Sequence, residues 1–76
     1  MSRVKLTRAE LVESMKPYAR GAFITTRKLK QWLGVGNEEL KRFTADLDYS
    51  VRGRQKLYLC RNVAEHYIRN YTVTVL

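Results

Sequence analysis

Seventy-six residues suffice for one domain, with a core just large enough to fold without disulfides or a structural metal, and they exclude a second. A hydrophobic fraction of 45%, with eight aromatics and one proline, separates the chain from disordered tails. Fifteen basic against seven acidic residues leave +8 on a small surface, and that potential attracts polyanions, nucleic acid foremost, although some basic proteins bind acidic lipids or are merely well solvated.

No apolar run approaches the roughly 18 residues that a membrane-spanning helix needs, and the opening MSRVKLTRAE has no apolar stretch of the signal-peptide kind. The expected location is cytoplasmic, with no membrane partner. Cys60 is the only cysteine, so an internal disulfide is impossible; lying in an apolar run, it is expected as a small buried side chain.

Thr7 and Glu10 have capping-box spacing, and Leu6 with Leu11 can close over the start as a hydrophobic staple, so a first helix is expected over about 7–16. Leu11, Val12, Met15 and Tyr18 form its apolar side, and Pro17, which lacks an amide donor, ends it near Met15. Gly21 then punctuates the chain. Ala22 to Thr25 is short, apolar and β-favouring, a small strand or an extended link. Thr25 or Thr26 caps a second helix over about 26–33, with Leu29, Trp32 and Leu33 on one face and Arg27, Lys28, Lys30 and Gln31 outward. Gly34 is placed to stop it in a left-handed conformation.

A third helix over about 37–47 starts from Gly36 or Asn37, with Glu38 and Glu39 in the first turn, where the helix dipole favours negative charge. Leu40, Phe43 and Leu47 fall within about 60° of one another and anchor it; the opposite face presents Glu38, Lys41, Arg42 and Ala45. From Tyr49 to Cys60 the period changes from helical to alternating around Gly53. This predicts a hairpin with strands at about 49–52 and 56–60 and a tip bearing Arg52, Arg54 and Lys56. Asn62 with Glu65 makes a cap-like pair for a last helix over about 62–71, striped by Val63, Ala64, Tyr67, Ile68 and Tyr71. The tail at 72–76, TVTVL, is a strand candidate or a frayed end. The expected class is mainly α with a small β-hairpin, in a single domain over 1–76.

In this order of helix, short strand, helix, turn, helix, hairpin and helix, the chain resembles the winged helix-turn-helix proteins. From Phe23 to Asn70 it looks more narrowly like the excisionase and MerR-type subgroup. The resemblance rests on the turn Leu33-Gly34-Val35, on Gly53-Arg54 leading to Tyr58, and on the helix Asn62-Val63-Ala64-Glu65-His66-Tyr67-Ile68. It implies a small phage- or transposon-encoded factor that binds double-stranded DNA, either as a transcriptional regulator or near a recombination site. An integrase or a second copy of the chain would then be its protein partner. The first helix, at about 7–16, departs from the most compact excisionases.

In a helix-turn-helix, the second helix of the unit lies in the major groove. Here that assigns base edges to the third helix. Arg42 suits a guanine, whose two acceptors its fork can bond; Asn37 suits an adenine, and Glu38 a cytosine amine, with Lys41 beside them. Glu38 and Arg42 are also spaced to pair with each other on an exposed helix. Arg52, Arg54 and Lys56 suit a wing that follows phosphates or enters the minor groove, or else a charged, solvated tip. Arg27 and Lys28 suit phosphate positioning.

Trp32 and Tyr67 have the chemistry of stacking platforms, but their core spacing predicts burial, as it does for Tyr58. His66 is expected on the polar side of its helix, without ligand partners at metal spacing. No phosphate loop, nucleophile motif or converging carboxylate pair points to catalysis, so neither an enzyme nor a cofactor is expected. The rival expectation is a winged-helix adaptor docking on an acidic protein partner, for which the alternating tail would offer a strand; RNA binding is a third.

Overall fold

Thr7 caps as its spacing predicts: its hydroxyl accepts from the Glu10 amide at 3.1 Å, and the Glu10 carboxylate accepts from the Thr7 amide at 2.9 Å. The computed structural model describes residues 7–71; Leu6, one half of the expected staple, and the tail at 72–76 lie outside them. Helix α1 (Arg8–Met15) stops where Pro17 requires, and the Tyr18 and Ala19 amides fold back onto the Met15 carbonyl at 2.8 and 2.9 Å. Ala22 to Thr25 resolves into strand β1 (Phe23–Thr25). Helix α2 (Thr26–Leu33) is capped by the Thr25 hydroxyl and ends at Gly34, whose φ of 70° is the left-handed conformation that glycine adopts without strain.

Helix α3 (Asn37–Thr44) is one turn shorter than the periodicity predicts. The Thr44 hydroxyl bonds back to the Leu40 carbonyl at 2.9 Å, and the next amides make shorter-range bonds, Ala45 to Arg42 and Leu47 to Thr44. Such back-bonding competes with continuation of the helix. Leu47 is nonetheless 8% exposed, because the turn delivers it to the core.

The hairpin is β2 (Ser50–Arg52) and β3 (Gln55–Leu59), turned at Gly53 with φ 63°. It is not a two-stranded unit: β1 pairs antiparallel with the other side of β3, Phe23 opposite Leu59 and Ile24 opposite Tyr58, giving a sheet in the order β1-β3-β2. Over the described residues the fold is therefore mixed α/β, four helices with a three-stranded antiparallel sheet. The sequence pattern understates the sheet because three residues are too few for alternation to declare itself.

Helix α4 (Cys60–Tyr71) begins two residues before the expected cap pair. The strand runs straight into the helix, and the first of its free amides, that of Cys60, is bonded to the Ala22 carbonyl beside β1 at 2.8 Å. Glu65, expected to complete a cap, instead pairs with Arg8 on α1. The core comprises Leu11, Met15, Leu29, Leu40, Phe43, Leu47, Val63 and Ala64 from the predicted stripes, joined by Ile24, Tyr58 and Cys60; Tyr71, expected in the last stripe, is instead 41% exposed at the end of α4. Trp32 and Tyr67 are half-buried against each other, ring edge to face at 5.3 Å, and the indole N–H donates to the Ser14 hydroxyl at 2.9 Å.

Cys60 is 3% exposed, and burial pushes its thiol above the ordinary value, opposed in part by a backbone hydrogen bond. The thiolate, the reactive form, is thus suppressed at neutral pH. A colorimetric thiol reagent should modify the native protein slowly at pH 8 and stoichiometrically in denaturant; fast labelling of the native state would contradict this junction.

Candidate functional site

Alternation along the sheet decides what the domain presents. Ile24 and Tyr58, paired across β1 and β3, turn inward, so Phe23, Thr25, Leu57 and Leu59 turn to the other face. Next to them the start of α2 meets the hairpin, and between the two lies an open groove of about 640 Å³. Arg27 and Lys28 line it from α2, Arg54 and Lys56 from the hairpin, and Arg20 from the turn before β1. Its lining contains no Asp or Glu.

None of these five cations has an anionic partner among the described residues. The ion pairs found there, Arg8–Glu65 and Lys16–Glu13, lie elsewhere. Lys56 is engaged differently, its ammonium 4.7 Å from the centre of the Tyr49 ring, a cation–π contact. The first turn of α2 adds to the unbalanced charge. α1 and α3 carry glutamates there, whereas α2 carries none and places Arg27 and Lys28 where the helix dipole disfavours cations.

Of the residues singled out in the sequence, the structure thus gathers Arg27, Lys28, Arg54 and Lys56. Arg52 stands apart on β2, exposed and paired in register with Gln55. Asn37, Glu38 and Lys41 are exposed on α3 and make no side-chain hydrogen bond or ion pair among the described residues. The expected Glu38–Arg42 pair is absent there too. Arg42 borders a second, smaller hollow of about 360 Å³ that also contains Glu39, Asp46, His66 and Tyr71.

This hollow is where α3 is fastened to α4. The Tyr71 hydroxyl donates to the Glu39 carboxylate at 2.8 Å, and Phe43 lies parallel to Tyr71 at 5.6 Å and edge-on to His66 at 4.7 Å. His66 is therefore half-buried against an aromatic ring, not on a free polar side; the helical wheel of α4 alone gives no sign of a partner on α3. Glu39 is likewise turned toward α4, which leaves Glu38 as the unpartnered carboxylate of the α3 first turn. No three His, Cys, Asp or Glu side chains among the described residues are placed to hold a metal ion, and no described helix is long and apolar enough to cross a membrane.

Sequence reasoning misses Arg20 and Phe23. Arg20 reaches the groove because Gly21, with φ 58°, closes a tight turn in which Arg20 and Phe23 exchange both backbone hydrogen bonds at 2.8 and 3.0 Å. The glycine is a readable signal for the turn. That the turn lies across from the hairpin follows only from the pairing of β1 with β3. No family model, curated protein or solved structure matches this chain.

Lys28→Glu places a carboxylate in the first turn of α2 and removes one of the crowded cations; it should raise the melting temperature by roughly 2–4 °C, and a lower value would contradict the electrostatic account. At the second hollow, partial desolvation, then the Glu39 carboxylate, push the Tyr71 hydroxyl above the usual phenol value, with Arg42 opposing. A raised folded-state value means that this stabilisation is complete below the unfolded value of about 10 and is lost as pH rises through the folded one. The stability advantage of the wild type over Tyr71→Phe in urea should therefore be larger at pH 8 than at pH 11; its exposure of 41% keeps the effect small.

Proposed function

We propose that this chain is a non-enzymatic, sequence-selective double-stranded DNA-binding protein of winged helix-turn-helix form. In this reading α2 and α3 are the helix-turn-helix and the β2–β3 hairpin is the wing. The observation that carries it is the acid-free groove in which α2 and the hairpin, far apart in sequence, bring Arg27, Lys28 and Arg54 together without internal counter-charges. Maintaining like charges side by side costs stability, and a polyphosphate is the ligand that reverses the sign of that term. Arg27, Lys28, Arg52, Arg54 and Lys56 would position phosphates; Asn37, Glu38, Lys41 and Arg42, exposed on α3, would meet base edges. The excisionase-like motifs favour a regulator or recombination directionality factor of a mobile element, acting with an integrase or a second copy. A second reading, an adaptor docking on an acidic protein, draws on Tyr49, just before the hairpin, and Val51, within its first strand, which are 50% and 65% exposed.

A fluorescence titration with random-sequence duplex should give an affinity whose logarithm falls linearly with log salt, with slope about −0.9 per phosphate neutralised. Replacing Arg52, Arg54 and Lys56 together by alanine should weaken binding to all duplexes and flatten that slope by about one unit for each phosphate no longer neutralised. On a site selected from random DNA, Arg42→Ala should cost about 1–3 kcal/mol and relax discrimination at one base pair. Equal duplex binding by the triple variant and the wild type would overturn the reading.

A further inference from the structure

The groove between α2 and the hairpin has a feature that a duplex backbone does not use. Beside its cations it is lined by apolar and aromatic side chains: Phe23, 36% exposed and shared with a smaller hollow that includes Asp48 and Tyr49, together with Leu57 and the half-buried Tyr18. A duplex can lay its phosphates along these cations, but it keeps its bases stacked inward and so offers Phe23 no base face to stack on. A single strand offers both chemistries at once, phosphates for the cations and exposed base faces for the aromatic lining.

We infer that this groove binds a single strand of nucleic acid, with Arg20, Arg27, Lys28 and Arg54 on its phosphates and a base stacked on Phe23. The site goes beyond the duplex reading, since it uses Arg20 and Phe23, which lie off α3, and asks for an unpaired strand. Its walls are firm: Arg20 and Phe23 are locked by their two mutual backbone bonds, and Phe23 is paired across the sheet with Leu59. The same bonds argue against an acidic peptide as occupant. An extended peptide binds by adding a strand to a free sheet edge, and on the outer edge of β1 the N–H and C=O of Phe23 are already taken by Arg20. Nor does any lining carboxylate oppose a polyphosphate along the length of the groove.

The test is a fluorescence-anisotropy titration of the full chain with labelled dT12, a labelled 20-base-pair duplex and a labelled 12-residue oligoglutamate, at several salt concentrations. The wild type should bind dT12 with an affinity that falls with salt, and more tightly than oligoglutamate. Phe23→Ala should weaken dT12 binding roughly 5- to 150-fold, the loss expected for one base–aromatic stack, with duplex affinity changed less than about twofold. Phe23→Leu, which keeps apolar bulk on the sheet but no π face, should show the same selective loss, and a matched thermal melt excludes unfolding as its cause. Arg20→Ala should flatten the salt slope for dT12 by about 0.7. Substituting Lys41 and Arg42 by alanine should weaken duplex binding and leave dT12 unchanged. The inference is overturned if dT12 is not bound, if oligoglutamate binds as tightly, or if the Phe23 variants retain dT12 or lose both nucleic acids in parallel. A missing duplex signal with dT12 intact would count against the duplex reading alone.

Discussion

Helix α4 packs along α1 and against β3, and its side chains Val63 and Ala64, both fully buried, are the constraint on that packing. Different faces of its later residues fasten different neighbours: Glu65 pairs with Arg8 on α1, Tyr67 with Trp32 on α2, and His66 and Tyr71 with Phe43 on α3. Its first residue is tied to the chain before β1 through the Cys60 amide. Two small residues at the centre of such a helix let α1 approach closely, and a larger side chain at either would separate the layers.

The same helix makes α3 an outlying element. α3 reaches the core with Leu40 and Phe43, but its outer end is held by an aromatic stack and one phenol–carboxylate hydrogen bond at the rim of the molecule. The exposed face with Asn37, Glu38 and Lys41 is thus presented by a helix whose support is partly solvent-accessible. The groove beside the sheet is built differently. Its walls are the start of α2, the β2–β3 hairpin and the tight turn at Gly21, whose backbone bonds hold Arg20 and Phe23 together.

Electrostatics separates the two halves as well. Of the seven acidic side chains, Glu10, Glu38 and Glu39 meet helix dipoles in first turns, and Glu39 also accepts the hydrogen bond of the Tyr71 hydroxyl. None lines the groove. The net charge of +8 is therefore not balanced evenly, and it is uncompensated where α2 meets the hairpin. Interspersed charges of both signs would have been the stabilising arrangement, and their absence at this one place is what makes the groove a candidate site.

The four helices, their caps at Thr7 and Thr25, the stop at Gly34 and the inward stripes, Tyr71 apart, are all legible in the sequence, because they are written in interactions only three or four residues apart. Arg27, Lys28, Arg54 and Lys56 are legible there too, as outward cations. The end of α3 at Thr44 is not, since a hydroxyl bond there competes with the periodicity; nor is the start of α4 at Cys60, whose amide is bonded to the distant Ala22. The packing of His66 on Phe43 is equally hidden from the helical wheel. It takes the folded chain to join β1 to the hairpin, which carries Arg20 and Phe23 across from Arg54 and turns scattered charges into one groove. The physical reason is range. Strand pairing between residues 23–25 and 57–59 is set by which register buries Ile24 against Tyr58 while leaving Phe23 outside, and no local pattern in either segment encodes that choice.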